Sequence, residues 1–158
     1  MTRRPRTVTG GAAPGRISAR SVPTVLLADA DADACAQMRD ALLEGVGPCD
    51  LRTVSTVREL EEYLGDAGPP PQLILVDLDL PDTTTGGLDA VRAVKCNPDL
   101  RRAPVVVLAR NPAPVQITAA YDAGANTVIP KPVTFLALVK LMKVFTAYWL
   151  EAAALPER

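Results

Sequence analysis

Between Leu73 and Pro81 the chain reads Leu-Ile-Leu-Val-Asp-Leu-Asp-Leu-Pro, four aliphatic residues that deliver the Asp77 carboxylate and then a proline. A continuous apolar run of this length suits a strand of a parallel sheet, covered by helices on both faces. Ligands of such sheets gather at the carboxyl ends of the strands. Asp77 is thereby placed for chemistry by the run that precedes it.

The rest of the chain supplies partners for that strand. Thr24 to Ala28 (TVLLA), Asp50 to Val54, Pro104 to Ala109 (PVVVLA) and Thr127 to Ile129 read as four further strands. Helical patterns separate them. Ala34, Met38, Ala41 and Leu42 mark one helix, with Asp33 as its expected cap and Gly45 to Pro48 as its end. Thr56 and Glu59 form a capping box for a second helix running to about Leu64. Leu88 to Lys95 forms a third, halted before Pro98. Asn111 followed by Pro112 predicts the start of a fourth, with Gly124 as a left-handed residue just past its end. The fifth and longest is expected from Thr134 to about Ala153. Five strands alternating with five helices predict an α/β fold, a flavodoxin-like (βα)5 doubly wound parallel sheet with strand order 2-1-3-4-5.

Composition narrows the function. Lys and Arg number 17, Asp and Glu 18, for a net charge of −1, so the chain lacks the basic surplus of a nucleic-acid binder. No apolar run approaches the roughly 20 residues of a membrane span. Histidine is absent, which removes Ser-His-Asp and Cys-His catalysis and histidine metal ligation together. Cys35, Cys49 and Cys96 are odd in number and lack metal-site spacing, as expected of reduced thiols in a cytoplasmic protein. Residues 1–22 form a separate block with Arg3, Arg4, Arg6, Arg16 and Arg20 and no acid, expected to be a flexible basic tail. Residues 23–155 are expected to form the single domain, with an extended final helix.

The predicted strand order puts the first and third strands at the point where the winding reverses. Asp29 and Asp31 follow the first strand, Asp77 and Asp79 close the third, and Lys131 follows the fifth. Carboxylates gathered in one cleft repel by ~4 kcal/mol for a pair ~4 Å apart at an effective dielectric of about 20. A divalent cation, a lysine or shared protons offset that repulsion. An all-oxygen donor set points to Mg²⁺. An ionised aspartate in such a place is a nucleophile for a phosphoryl group, and Lys131 is positioned to pair with the new phosphate oxygens.

These residues resemble the receiver domain of two-component response regulators. The resemblance runs from about Val22 to Leu155. It rests on Val25-Leu26-Leu27-Ala28-Asp29, Leu73 to Pro81, Pro104 to Leu108 and Lys131-Pro132. More narrowly the chain is similar to the stand-alone response regulators that serve bacterial and cyanobacterial phytochromes, through Pro104 to Leu108, Tyr121 to Asn126 and Ala147-Tyr148-Trp149-Leu150. The resemblance implies that Asp77 is the phosphoacceptor and that Lys131 contacts the phosphate. It also implies that Asp29, Asp77 and the main-chain carbonyl of Asp79 meet Mg²⁺. The phosphate donor is then a sensor histidine kinase, with a bacteriophytochrome as the expected type. Three departures stand out. Receivers usually carry a second acid where Ala30 stands, with Asp31 one residue later as the candidate substitute. They end the fourth strand in Thr or Ser, where Ala109 stands. The segment Pro81 to Gly87 is longer than usual. Loss of a direct ligand predicts Mg²⁺ binding weakened by at least the about 10–100-fold that outer-sphere changes cost, to the point of absence.

The final helix carries another signal. Phe135, Leu138, Leu141, Met142, Phe145 and Trp149 fit one core-facing stripe, while Leu136, Val139, Val144 and Tyr148 add apolar surface outside it. In the resembled subgroup this end of the molecule forms a homodimer, which predicts a dimer through the fourth and fifth helices with Phe145, Tyr148 and Trp149 in the interface. Few residues follow that helix, so output through protein contact is expected, with no nucleic acid, membrane or enzymatic output. The leading expectation is a single-domain response regulator with impaired phosphorylation or switching, not an enzyme. The alternative is a phosphorylation-independent pseudo-receiver acting through dimerisation or docking. A remote alternative is an aspartate-nucleophile phosphatase, since Asp77-Leu78-Asp79 imitates a D-x-D motif; no acidic pair ends the fourth strand to complete it.

Overall fold

The apolar runs become five parallel strands in a computed structural model of the protein, which describes residues 22–155 apart from Ala67 and Asp82. The expected basic tail, residues 1–22, lies almost wholly outside the described residues. β1 (Thr24–Ala28), β2 (Asp50–Val54), β3 (Leu73–Asp77), β4 (Val105–Ala109) and β5 (Thr127–Pro130) pair in the order β2-β1-β3-β4-β5. Every pairing is parallel, as a chain with a helical crossover between successive strands requires. The predicted architecture is the observed one.

The helices α1 (Ala32–Val46), α2 (Val57–Gly65), α3 (Gly87–Cys96), α4 (Pro114–Asp122) and α5 (Phe135–Thr146) split between the two faces of the sheet. Strand alternation divides the core accordingly. Val25, Leu27, Leu73, Leu75, Val106 and Leu108 pack with Met38, Ala41 and Leu42 of α1 and Leu138, Met142 and Phe145 of α5. Leu26, Ile74, Val76, Val105 and Val107 pack on the other side with Leu60 of α2, Val91 and Val94 of α3, and Ala120 of α4. β1, β3 and β4 are buried along their whole length, which is why their sequences read as unbroken aliphatic runs. Among the described residues no helix is long and apolar enough to cross a membrane.

Several local expectations are corrected. Asp31, not Asp33, caps α1: its side chain accepts from the amides of Asp33 and Ala34 at 3.0 and 3.1 Å. Asn111 is not a cap. It adopts φ 43°, a left-handed conformation that asparagine tolerates, and α4 begins only at Pro114. The Gln116 side chain reaches back to the Ala113 amide at 2.9 Å, fixing the start there. In the capping box of α2, Thr56 accepts from the Glu59 amide, but the Glu59 carboxylate takes the Ser55 amide rather than that of Thr56. Gly124 has the expected positive φ, 107°. The final helix reaches Ala152, close to its expected end, but widens into π-helical turns over Ala147–Ala152, closed by the Ala153 amide donating to the Tyr148 carbonyl at 2.8 Å. The change follows buried Thr146, whose hydroxyl donates to the Met142 carbonyl and so competes with the regular ladder.

Candidate functional site

At the carboxyl rim of the sheet, β1, β3 and β5 bring three charged side chains together. The Lys131 ammonium lies 2.9 Å from Asp29 and 2.9 Å from Asp77. Both carboxylates are nearly removed from water, each residue retaining 4% exposure. One lysine thus bridges two buried acids from elements far apart in sequence. Its position is fixed by the main chain, because the Lys131 amide donates to the Ala109 carbonyl at the end of β4.

Each aspartate has its other oxygen held by the backbone two residues on. Asp29 accepts from the Asp31 amide at 2.9 Å, and Asp77 accepts from the Asp79 amide at 3.2 Å. The Asp-x-Asp spacing, present twice, is the sequence signal for this clamp; its function lies in the second residue's amide rather than its carboxylate. Asp31 and Asp79 themselves are exposed, and Asp31 is committed to capping α1. Of the four acids expected to converge, two face each other in the site and two contribute amides to it.

Electrostatics follow from this arrangement. Burial alone pulls the Lys131 pKa down, but hydrogen bonds and attraction from Asp29 and Asp77 outweigh it and hold the ammonium above its ordinary 10.5. Asp31 is held below its ordinary 3.8, first by the Ala34 amide, with Arg110 and Lys131 assisting through their charge. The half-buried Cys35 thiol lies 3.5 Å from the Asp29 carbonyl, and burial followed by the two nearby carboxylates pushes its pKa up. That contact with the site was not foreseen. Neither was the role of Gly86 and Gly87. A methyl group on Gly87 would collide with the Asp77 carbonyl and come within 2.7 Å of the Leu78 Cα, so the segment after the phosphoacceptor candidate packs directly on its backbone.

Ala30 is exposed and Ala109 is buried on the α2–α4 side, so neither adds a polar atom to the site. Among the described residues no group of three or more acids or thiols is placed to hold an ion. The donor set nevertheless fits a hard cation in one respect. Asp29 and Asp77 offer two carboxylates, the number Mg²⁺ commonly takes from protein, leaving its other positions to water and to main-chain oxygen.

The residues expected in a dimer interface are placed unequally. Phe145 and Val139 are in the core, so neither is presented to solvent, while Trp149 is partly buried against that core. Tyr148 is exposed and stacks edge-on against Trp149, ring centroids 4.9 Å apart. Leu136 and Val144 are exposed as expected.

Comparison with known proteins identifies the family. The family described as response regulator receiver domain matches residues 25–143. The chain is 33% identical over 106 residues to the response regulator Rcp1 of the cyanobacterium Synechocystis, covering 67% of this chain and 69% of that protein. It superposes on the phosphorylated cyanobacterial phytochrome response regulator RcpA with TM-score 0.78 and 29% identity, over 87% of this chain and all of the other. With the Mn²⁺-bound form of Rcp1 the TM-score is 0.75 and the identity 27%, over 85% and 99% of the two chains.

Proposed function

The chain belongs to the response regulator receiver family, close to the stand-alone cyanobacterial phytochrome regulators, and from that premise we propose that Asp77 accepts a phosphoryl group from a sensor histidine kinase. The observation that carries the reading is the Lys131 ammonium 2.9 Å from each of two buried carboxylates. In the transfer, an Asp77 oxygen attacks phosphorus and forms a P–O bond as the P–N bond of a phosphohistidine breaks. The imidazole leaves and takes a proton from solvent. Lys131 already touches the Asp77 oxygen and needs only a small shift to meet the phosphoryl oxygens, so positive charge stays beside the growing negative charge. Asp29, held by the Asp31 amide, keeps Lys131 from following Asp77 out of the site. Mg²⁺, held by Asp29 and Asp77 with the Asp79 carbonyl, would supply further positive charge against those oxygens.

Phosphorylation and switching are weakened in this protein. Two carboxylates remain where a third is usual, since Ala30 has no acid and Asp31 is bound to its helix. Ala109 has no hydroxyl to follow the phosphate. A second reading, phosphorylation-independent docking, is favoured by that buried methyl. The regulator acts through protein contact, as a homodimer joined through α4 and α5.

A gel-shift assay with phosphoramidate as donor and graded Mg²⁺ tests both readings. Modification is expected in the wild type and absent in Asp77→Asn. Its midpoint in Mg²⁺ should lie about 10–100-fold above that of a receiver carrying both acids. Absence of modification at any Mg²⁺ concentration would establish the docking reading instead.

A further inference from the structure

We propose that the Arg110 guanidinium is a second cationic contact for the phosphoryl group on Asp77, replacing at this edge the hydrogen bond that Ala109 cannot give. The inference rests on the phosphoacceptor reading above. It comes from the alternation of side chains along four neighbouring strands. Val25 and Leu27, Leu73 and Leu75, Val106 and Leu108, and Ile129 all belong to the layer beneath α1 and α5. Two residues on from the last of each stand Asp29, Asp77, Arg110 and Lys131. Three of these four meet at 2.9 Å; Arg110 is the remaining one.

The strand register puts it level with the site. Leu108 lies opposite Asp77, the Leu78 amide donates to the Leu108 carbonyl at 2.9 Å, and the Lys131 amide donates to Ala109 at 2.8 Å. Arg110 is therefore the first residue beyond the paired ends of β3, β4 and β5. The positive φ of Asn111 then turns the chain away. Ala109 points to the opposite layer, among Val105 and Val107. Arg110 is exposed, and among the described residues it makes no ion pair, so its donors are available.

Chemistry favours an anion with several oxygens as its partner. Lysine offers a point charge, whereas the guanidinium presents a planar fork suited to two phosphoryl oxygens at once. Arg110 follows β4, between the strands that carry Asp77 and Lys131, so a tetrahedral group on Asp77 meets two cations on its β4–β5 side. A site short of one carboxylate is also less negative, which leaves room for an additional anion rather than an additional metal.

The test is a titration with beryllofluoride, which mimics the phosphoryl group on aspartate, followed by ¹⁹F NMR in saturating Mg²⁺, beside a separate titration with Mg²⁺ alone. Arg110→Ala should weaken beryllofluoride by about tenfold, with Arg110→Lys intermediate, because charge-assisted hydrogen bonds are lost. Removing a cation should leave Mg²⁺ affinity equal or raise it. Unchanged beryllofluoride affinity in Arg110→Ala overturns the inference while leaving Asp77 as acceptor. Parallel loss of Mg²⁺ affinity also overturns it, since the substitution would then be acting on the site's structure. No beryllofluoride uptake by the wild type, with Asp77→Asn as reference, overturns the phosphoacceptor reading and this inference together.

Discussion

Lys131 holds together two side chains that would otherwise repel each other out of reach of water. Removing it as Lys131→Met leaves Asp29 and Asp77 buried and uncompensated, and breaking a buried ion pair from one side costs about 3 kcal/mol. The expected result is a lower urea midpoint at neutral pH without divalent cation, partly restored when Mg²⁺ is added. The pH dependence has a definite sign. A pKa raised by folding contributes stability that is complete below the unfolded value of 10.5 and lost as pH climbs through the folded value above it. Between neutral pH and about pH 10 the gap between wild type and Lys131→Met should therefore hold, and it should close beyond that range, as read by urea unfolding at several pH values. At this scale sequence reasoning was half sufficient. Strand order predicts that Asp29, Asp77 and Lys131 meet, because β1 and β3 are adjacent and the long lysine side chain after β5 has only β4 to cross. It does not say which of Asp29, Asp31 and Asp33 caps α1, since all lie within one turn and any of them satisfies the same rule. The cap fell to Asp31, whose own amide is already drawn to Asp29.

Elements are legible where burial on both faces leaves no alternative. β1, β2 and β3 begin and end where their aliphatic or alternating runs do. The start of α4 was not, because Asn-Pro is a signal for a helix cap and also for a turn, and the left-handed preference of asparagine decided it. The segment between β3 and α3 is constrained in a way that composition hides. Gly86 has φ 49° and Gly87 packs on the carbonyl of Asp77. Gly87→Ala should cost about 2 kcal/mol, since the added methyl meets backbone rather than a side chain that can swing aside. It should also reduce phosphorylation at Asp77 by displacing that carbonyl. Gly65→Ala is the control. Nothing lies within 4 Å of its added methyl at the end of α2, so the substitution should stabilise by about 0.5 kcal/mol. Thermal melts of the two variants, read with the gel-shift assay, separate a strained site from a merely less flexible chain.

For the whole molecule, the sheet assigns its two ends different tasks. Asp29, Asp77 and Lys131 close one rim, while the outer surface of α4 and α5 is left apolar without cover in the single chain. Leu136, Val144 and Tyr148 lie along α5 and its extension at spacings of eight and four, with Lys140 between, forming one exposed stripe. Val115 and Tyr121 of α4 are exposed as well, and a groove lined by Asn126, Ile129, Leu141, Val144, Tyr148 and Trp149 runs beside β5. A second copy offers a matching apolar face through a twofold axis, and a stable dimer needs about 800 Å² from each partner. Tyr148 faces outward while Trp149 stays against the core, as the helical stripe predicts, and the π-helical turns over Ala147–Ala152 keep that distinction. Light scattering at tens of micromolar should give twice the 16.7 kDa chain mass. Val144→Asp, a change at a residue 72% exposed, should give the monomer with an unchanged circular dichroism spectrum. Phe145→Ala should instead lower the melting temperature, because Phe145 belongs to the core and not to the exposed stripe. A monomeric wild type would remove the homodimer and leave this face to another protein.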